Sequence, residues 1–154
     1  MKILETTFLS EQAKEAVRAL WNAEYPEKIK QATAPEQESY FSALKNLNHY
    51  LLVNNKEKVK GWAFNFERDA AVWFAIILHS EIKNQGFGTL LLNRLKENRT
   101  CLNGWVIDHN NDKKSDGEVY LSPLGFYLKN NFVILPEERL ETEKISAVKI
   151  QWVK

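Results

Sequence analysis

The sequence predicts an α/β domain: a mixed, mostly antiparallel sheet of about seven strands with helices on both faces. Three observations carry this. Apolar and polar residues alternate with period two on either side of short polar turns, as in hairpins. The run Ala70 to Leu78 is unbroken in its apolarity, as in a central strand covered on both sides. Segments of helical period stand between the strands, as crossover connections require.

From the amino terminus, Met1 to Phe8 is short and β-prone. Ser10 then precedes Glu11 to Tyr25, where Ala13, Ala16, Val17, Leu20 and Trp21 recur at helical spacing. The polar stretch PEKIKQATA leads to Pro35, and Tyr40, Phe41, Leu44 and Leu47 predict a second helix. HYLLV and VKGWAFNFE flank NNKEK and read as a β-hairpin, with Trp62, Phe64 and Phe66 alternating against Ala63, Asn65 and Glu67. AAVWFAIIL is the third consecutive strand. Gly86 to about Asn98 is amphipathic through Leu90, Leu91 and Leu95, and LNGWVID is a further buried strand. After the polar loop HNNDKKSDGE, SPLGFYLKNN predicts a short helix with Ser122 as N-cap, Pro123 at the first helical position and a left-handed asparagine, Asn130 or Asn131, at its end. FVIL is a compact strand, PEERLETE a solvated hairpin turn, and the tail alternates Val148, Ile150 and Trp152 against Lys149, Gln151 and Val153. The order is β-α-α-β-β-β-α-β-α-β-β. Its central strand-helix-strand unit needs a parallel pair, and its hairpins need antiparallel ones.

The 154 residues suit one domain, 1–154, able to bury roughly two thirds of its unfolded surface, and no linker or repeat divides it. A formal charge of +1 lacks the basic excess of a nucleic-acid partner. The amino terminus carries Glu5 and Glu11 and reads as neither signal peptide nor anchor, and Ala70 to Leu78 is too short to cross a bilayer, so no membrane partner is expected. Cys101 has no cysteine to pair with, which fits a cytoplasmic location. His49, His79 and His109 lack ligand spacing, so no metal is expected. The amphipathic tail leaves two arrangements open: Trp152 packed internally, or a homodimer in which the strand completes a partner's sheet.

The glycines of KNQGFGT, Lys83 to Thr89, interrupt this pattern. A nucleotide P-loop requires a lysine and a hydroxyl directly after its second glycine, but Thr89 is followed by leucines. A dinucleotide fingerprint requires a third glycine where Leu91 stands. A purely structural turn is the plainest alternative. Against it, a central strand runs into a loop whose backbone N–H groups open a helix, with Lys83 alongside; in electrostatic terms this is an anion site that a pyrophosphate fits.

The stretch Ile76 to Thr89 resembles the acetyl-coenzyme A signature of the GCN5-related N-acetyltransferases (GNAT), usually Arg or Gln, two residues, Gly, any residue, Gly or Ala. Lys83 stands at the Arg/Gln position, and Gly86 and Gly88 match. SPLGFYLKNNF resembles the family's later motif through Phe126, Tyr127, Lys129 and Phe132, with Asn131 in place of the usual glycine. Asparagine tolerates the left-handed conformation that position needs. Lys83 and Asn84 replace a common Arg-Gly pair, and lysine lacks arginine's bidentate fork. The loop Asn110 to Tyr120 looks longer than the family's usual connection, which makes it a candidate specificity element.

The resemblance implies an acyl-CoA N-acyltransferase (GNAT) fold and acetyl transfer from coenzyme A to a primary amine of a small molecule or peptide, by direct attack in a ternary complex. It further implies that Lys83, Asn84, Gln85, Gly86, Phe87, Gly88 and Thr89 hold the pyrophosphate, that backbone N–H groups at Ile77 and Leu78 bind the pantetheine arm, and that Tyr127 donates a proton to the departing thiolate. As base, the residues offer Glu67 and Asp108 at strand ends and His79 at the mouth of the loop, or a water chain. For any of these side chains, a solvated end-of-strand group is the plainer account. Cys101 has no histidine nearby in sequence and is assigned no role. Of the early aromatics, Trp21 and Phe41 read as core, while Tyr25 and Tyr40 are candidates for an acceptor groove. The competing reading is a non-catalytic acyl-CoA-binding or regulatory module, against which Tyr127 counts.

Overall fold

The computed structural model describes residues 1–154 and contains one seven-stranded sheet, ordered β1-β2-β3-β4-β5-β7-β6. The strands are β1 Lys2–Thr6, β2 Lys45–Val53, β3 Val59–Arg68, β4 Ala71–Leu78, β5 Cys101–Val106, β6 Val133–Glu141 and β7 Ser146–Val153. The helices are α1 Glu11–Glu24, α2 Ala34–Ser42, α3 Phe87–Lys96 and α4 Leu124–Lys129. Every neighbouring pair is antiparallel except β4 and β5, whose parallel register is confined to Trp73 opposite Asn103. The sequence-derived order of elements is therefore the observed one.

Strand alternation divides the core in two. On one face Val17, Leu20 and Trp21 of α1 meet Trp62, Phe64 and Phe66 of β3. On the other, Leu91, Leu92 and Leu95 of α3 pack with Leu52, Leu102, Phe132 and Ile150. The early helices start where capping side chains supply partners for free N–H groups. Ser10 Oγ accepts from Ala13 N at 3.1 Å, and Thr33 Oγ1 from Glu36 N at 3.3 Å.

Most ends shift by one or two residues, and three differences have a clear physical reason. The second helix stops at Ser42, because Lys45 onward pairs with β3 and Asn46 takes a left-handed φ of 53° at the resulting bulge; Leu47 is a strand residue. Ser122 is not the cap of the fourth helix: Pro123 holds that position, the helix begins at Leu124, and the Ser122 hydroxyl accepts from Leu124 N at 3.3 Å from one residue further back. PEERLETE is mostly strand: β6 continues to Glu141 across a bulge between Leu135 and Arg139, and the turn lies beyond it. At the carboxy terminus, β7 is an interior strand between β5 and β6, and Trp152 is buried under the Lys96 ammonium, 4.9 Å from its ring. The tail thus packs internally. No helix is long and apolar enough to cross a membrane.

The segment from Asn110 to Tyr120 is docked rather than free. Glu27 N donates to Lys113 O at 2.9 Å, Ser115 Oγ donates to Asn22 O at 3.1 Å, and Lys28 pairs with the buried Asp112 at 3.0 Å. These contacts fasten the segment to the end of α1.

His49 is a core histidine. Its Nδ1 accepts from Trp62 Nε1 at 3.1 Å, and burial pushes its pKa down to about 4 from 6.5. As pH falls from about 6.5 to about 4, the unfolded chain takes up a proton that the folded chain refuses, so stability declines by on the order of 3 kcal/mol across that window. Thermal melts between pH 7 and pH 4 will show this decline, and His49→Gln, which keeps an acceptor for Trp62, will flatten it. The turn between β3 and β4 holds Asp69 and Ala70 at φ of 52° and 58°, a conformation unfavourable to alanine. Ala70→Gly will raise unfolding stability by up to about 1 kcal/mol in urea titrations.

Candidate functional site

Beyond Trp73 and Asn103 the parallel strands β4 and β5 part. At the vertex, Asn103 Nδ2 donates to Val72 O at 3.2 Å and Asn103 Oδ1 accepts from Gln151 Nε2 at 2.9 Å, tying β5 to β4 on one side and β7 on the other. Just past it, the Phe74 ring occupies space that only a glycine leaves open, since a Cβ on Gly104 would stand 3.0 Å from Phe74 Cε1. Backbone polarity follows from register. His79 N donates to Lys60 O at 2.8 Å, so the odd-numbered residues of β4 turn their N–H groups to β3 and the even-numbered ones toward β5; Phe74 lies within the bridge, and beyond it Ile76 and Leu78 turn theirs into the gap. Of the pair named from sequence, Leu78 faces the gap, whereas the N–H of Ile77 faces β3; Ile76 takes its place.

β4 leads into the glycine loop. His79 Nδ1 accepts from Glu81 N at 3.1 Å and opens a short 3-10 turn, Ser80–Ile82, after which Asn84 and Gly86 adopt positive φ of 62° and 88°. α3 begins at Phe87, and its first backbone donation is Leu90 N to Gly86 O at 3.1 Å. The N–H groups of residues 84 to 89 have no partner within the protein. The two glycines have different reasons. A Cβ on Gly86 would meet nothing within 4 Å, so glycine there serves a left-handed backbone and leaves an open approach. A Cβ on Gly88 would lie 3.1 Å from Phe126 Cζ, so that glycine lets α3 pack against α4. A helix start with unpaired N–H groups and an unobstructed front is suited to a phosphate group.

Lys83 does not stand alone. Its ammonium lies 3.2 Å from the carboxylate of Glu24, the last residue of α1. Glu24 is buried, also accepts from Ser80 N at 3.1 Å, and lies 3.6 Å from Lys114 Nζ. One carboxylate therefore holds the glycine loop, α1 and the docked segment together. Sequence reasoning passed over it, although an acid completing the apolar stripe Val17, Leu20, Trp21 was a visible signal.

The gap between β4 and β5 opens into a cavity of about 650 Å³ that joins the two faces of the sheet. Phe74, Ile76, Gly104, Val106, Pro123 and Tyr127 line one part, and Trp21, Tyr25, Tyr40, Phe66, Trp73 and Tyr120 the other. Tyr127 is buried edge-on to Phe74 and Phe132, at ring separations of 5.7 and 5.3 Å. Tyr50, by contrast, has its hydroxyl engaged by Asn48 and Asn65, while the Tyr127 hydroxyl meets no protein group and opens onto the cavity. Burial pushes the Tyr127 and Tyr25 hydroxyls well above their ordinary range and those of Tyr40 and Tyr120 up to about 12. All four remain protonated donors at neutral pH. Tyr25 and Tyr40 line the cavity as the sequence suggested; Trp21 does so while also serving the core, and Phe41 packs on Trp62 and His49 instead.

The carboxylates proposed as bases lie elsewhere. Glu67 alternates to the opposite side of β3 from Phe66 and Arg68, is exposed, and accepts from Asn46 Nδ2 at 2.7 Å. Asp108 is gripped at 2.9 and 3.0 Å by the Arg139 guanidinium, which holds its carboxyl below the usual range. Neither lines the cavity, and His79 serves as the cap already described. The acidic residue that does line it is Glu36, whose Oε2 accepts from Ala32 N at 2.8 Å. Lys30, Gln31, Arg68 and Lys144 also border the cavity, and sequence reasoning singled out none of them.

No family model matches the sequence, and no curated protein matches it. Solved structures do match in fold over nearly the whole chain. An acetyltransferase of the GNAT family from Staphylococcus aureus superimposes with a TM-score of 0.67 at 15% identity, covering 99% of this chain and 99% of the other. A GNAT superfamily phosphinothricin acetyltransferase from Sinorhizobium meliloti, in complex with AcCoA, gives 0.63 at 12% identity over 99% and 89%. The ribosomal-protein-S18-alanine N-acetyltransferase from Escherichia coli gives 0.62 at 15% identity over 99% and 94%.

The vertex is testable by itself. Asn103→Ala removes the partner of the half-buried Gln151 amide and one of the donors to Val72 O, and will cost about 1 kcal/mol of stability in urea unfolding.

Proposed function

Taking as premise that this chain has the GNAT acyl-CoA N-acyltransferase fold, we propose that it transfers an acetyl group from acetyl-coenzyme A to a primary amine. The observation that carries the reading is the coincidence of three features: unpaired N–H groups at the start of α3, a gap between β4 and β5, and a free Tyr127 hydroxyl in that gap. These residues fit acetyl-coenzyme A. The N–H groups of residues 84 to 89 suit its pyrophosphate, and those of Ile76 and Leu78 suit the amides of its pantetheine arm. When bound, it supplies a thioester carbonyl open to attack by an amine.

The protein's part is placement and proton handling. Backbone N–H groups in a water-poor gap polarise a carbonyl more strongly than in bulk water. Desolvation in a mostly apolar cavity bordered by Lys30, Arg68 and Lys144 disfavours a charged ammonium and so favours the neutral amine that attack requires. With Glu67 and Asp108 outside the cavity, the amine's proton leaves through water. Tyr127 retains its own proton well past neutral pH and gives it, or a hydrogen bond, to the departing thiolate. The acceptors named for the structural neighbours differ from one another, so the fold does not select among amines.

Acetyl-coenzyme A titrated calorimetrically into the full chain will bind, and Gly86→Trp, which fills the open front of the loop, will abolish binding. Thiol release will fall about 10- to 100-fold in Tyr127→Phe with little change in acetyl-coenzyme A affinity. Because the Tyr127 hydroxyl is pushed upward, its ionisation will not depress the wild-type rate between pH 8 and pH 10. Binding without thiol release to any amine would mark a non-catalytic acyl-coenzyme A module, a reading that the lack of a carboxylate base near Tyr127 favours.

A further inference from the structure

We propose that the acceptor is a small amine whose own skeleton carries a carboxylate, an amino acid rather than a polyamine; the inference rests on the acetyl-transfer reading above. Away from Tyr127, the cavity opens between the segment after α1, the β3–β4 hairpin and the β6–β7 turn, and each contributes a cation: Lys30, Arg68 and Lys144. None of these three head groups has an ion-pair partner in the protein, so each is free to meet a ligand at the cavity. The bordering carboxylate, Glu36, is occupied by the backbone of Ala32. Glu36 keeps its charge in that bond, so three cations face one carboxylate and the charge at this mouth is net positive, which repels a polycation and attracts an anionic group.

Arg68 is held in place rather than dangling. Its guanidinium lies 5.0 Å from the Phe66 ring centroid and 5.8 Å from that of Trp73, with its hydrogen-bond donors unused. Trp73 Nε1 is itself a buried donor without a partner, and Gln31 Oε1 is a buried acceptor without one; both residues border the cavity and are 7% and 6% exposed. Unpaired buried polar atoms of this kind mark sites that a ligand completes. The two atoms are opposite in character. The indole N–H of the ring that the guanidinium covers calls for an anionic oxygen, and the amide oxygen of Gln31 calls for a hydrogen-bond donor on the same ligand. Aromatic residues between them suit an apolar skeleton and strengthen recognition of charge.

Steady-state thiol release by the full chain with acetyl-coenzyme A should be measured on the standard L-amino acids, on the carboxamide of the best one, and on spermidine. The amino acid is expected to exceed its carboxamide at least tenfold in kcat/KM, although the carboxamide's less basic amine biases the comparison the other way. Arg68→Ala should lower kcat/KM for the amino acid at least tenfold, mainly through KM, and shrink its advantage over the carboxamide by a similar factor. Lys144→Ala, on an exposed turn where folding is not at stake, should do the same to a lesser degree, and calorimetric binding of acetyl-coenzyme A reports that either variant is folded. Faster turnover of the carboxamide or of spermidine, or an undiminished preference in both variants, would overturn the amino-acid assignment and leave acetyl transfer standing. Bound acetyl-coenzyme A with no thiol release to any amine would overturn both.

Discussion

The parting of β4 and β5 is the constraint from which the rest of this molecule follows. A parallel pair that continued past Trp73 and Asn103 would satisfy its own N–H groups and close the sheet. Instead Asn103 fixes the point of separation with its side-chain amide, and Phe74 is received over Gly104 just beyond it. The strands then expose donors to an enclosed, mostly apolar space. Unpaired backbone in such a place is costly unless something else completes it, which is why the proposed function places a ligand there.

Around the gap, electrostatics are divided by depth. Deep in it, tyrosine hydroxyls are held protonated by burial and no carboxylate approaches Tyr127. At its mouth, cations from separate elements converge without partners. At the other end, beyond β4, donors come from the backbone at the start of α3, and the nearby Lys83 is shared with Glu24. Glu24 also reaches Lys114, so the loop suited to the pyrophosphate and the segment that carries Tyr120 into the cavity are held by a common buried group.

Most of the fold was legible in the sequence because periodicity records burial. Alternation in VKGWAFNFE, the apolar run of β4 and the leucine stripe of α3 each state which face is covered, and the order of such segments restricts how a sheet can be threaded. The errors fell where pairing overrode local pattern. Leu44 and Leu47 continue a helical spacing, yet β3 offered Lys45 onward a ladder, and PEERLETE looks like a turn until β7 pairs with it. The glycine loop was legible as well, since left-handed backbone and unpaired N–H groups are local properties of a few consecutive residues.

Side chains distant in sequence were another matter. Whether Glu67 and Asp108 face the cavity depends on which side of a strand each falls and on whether an arginine from β6 reaches one of them, and neither is written near those residues. The convergence of Lys30, Arg68 and Lys144, and the unpaired atoms of Gln31 and Trp73, exist only once the early helices, the hairpins and the last turn are brought together. Local sequence thus specified the elements, the glycine turn and the tyrosine on α4, because each needs only its neighbours. Tertiary packing specified which charges meet at the cavity, because a charge acquires its partner, its solvent and its role from whatever the fold places beside it.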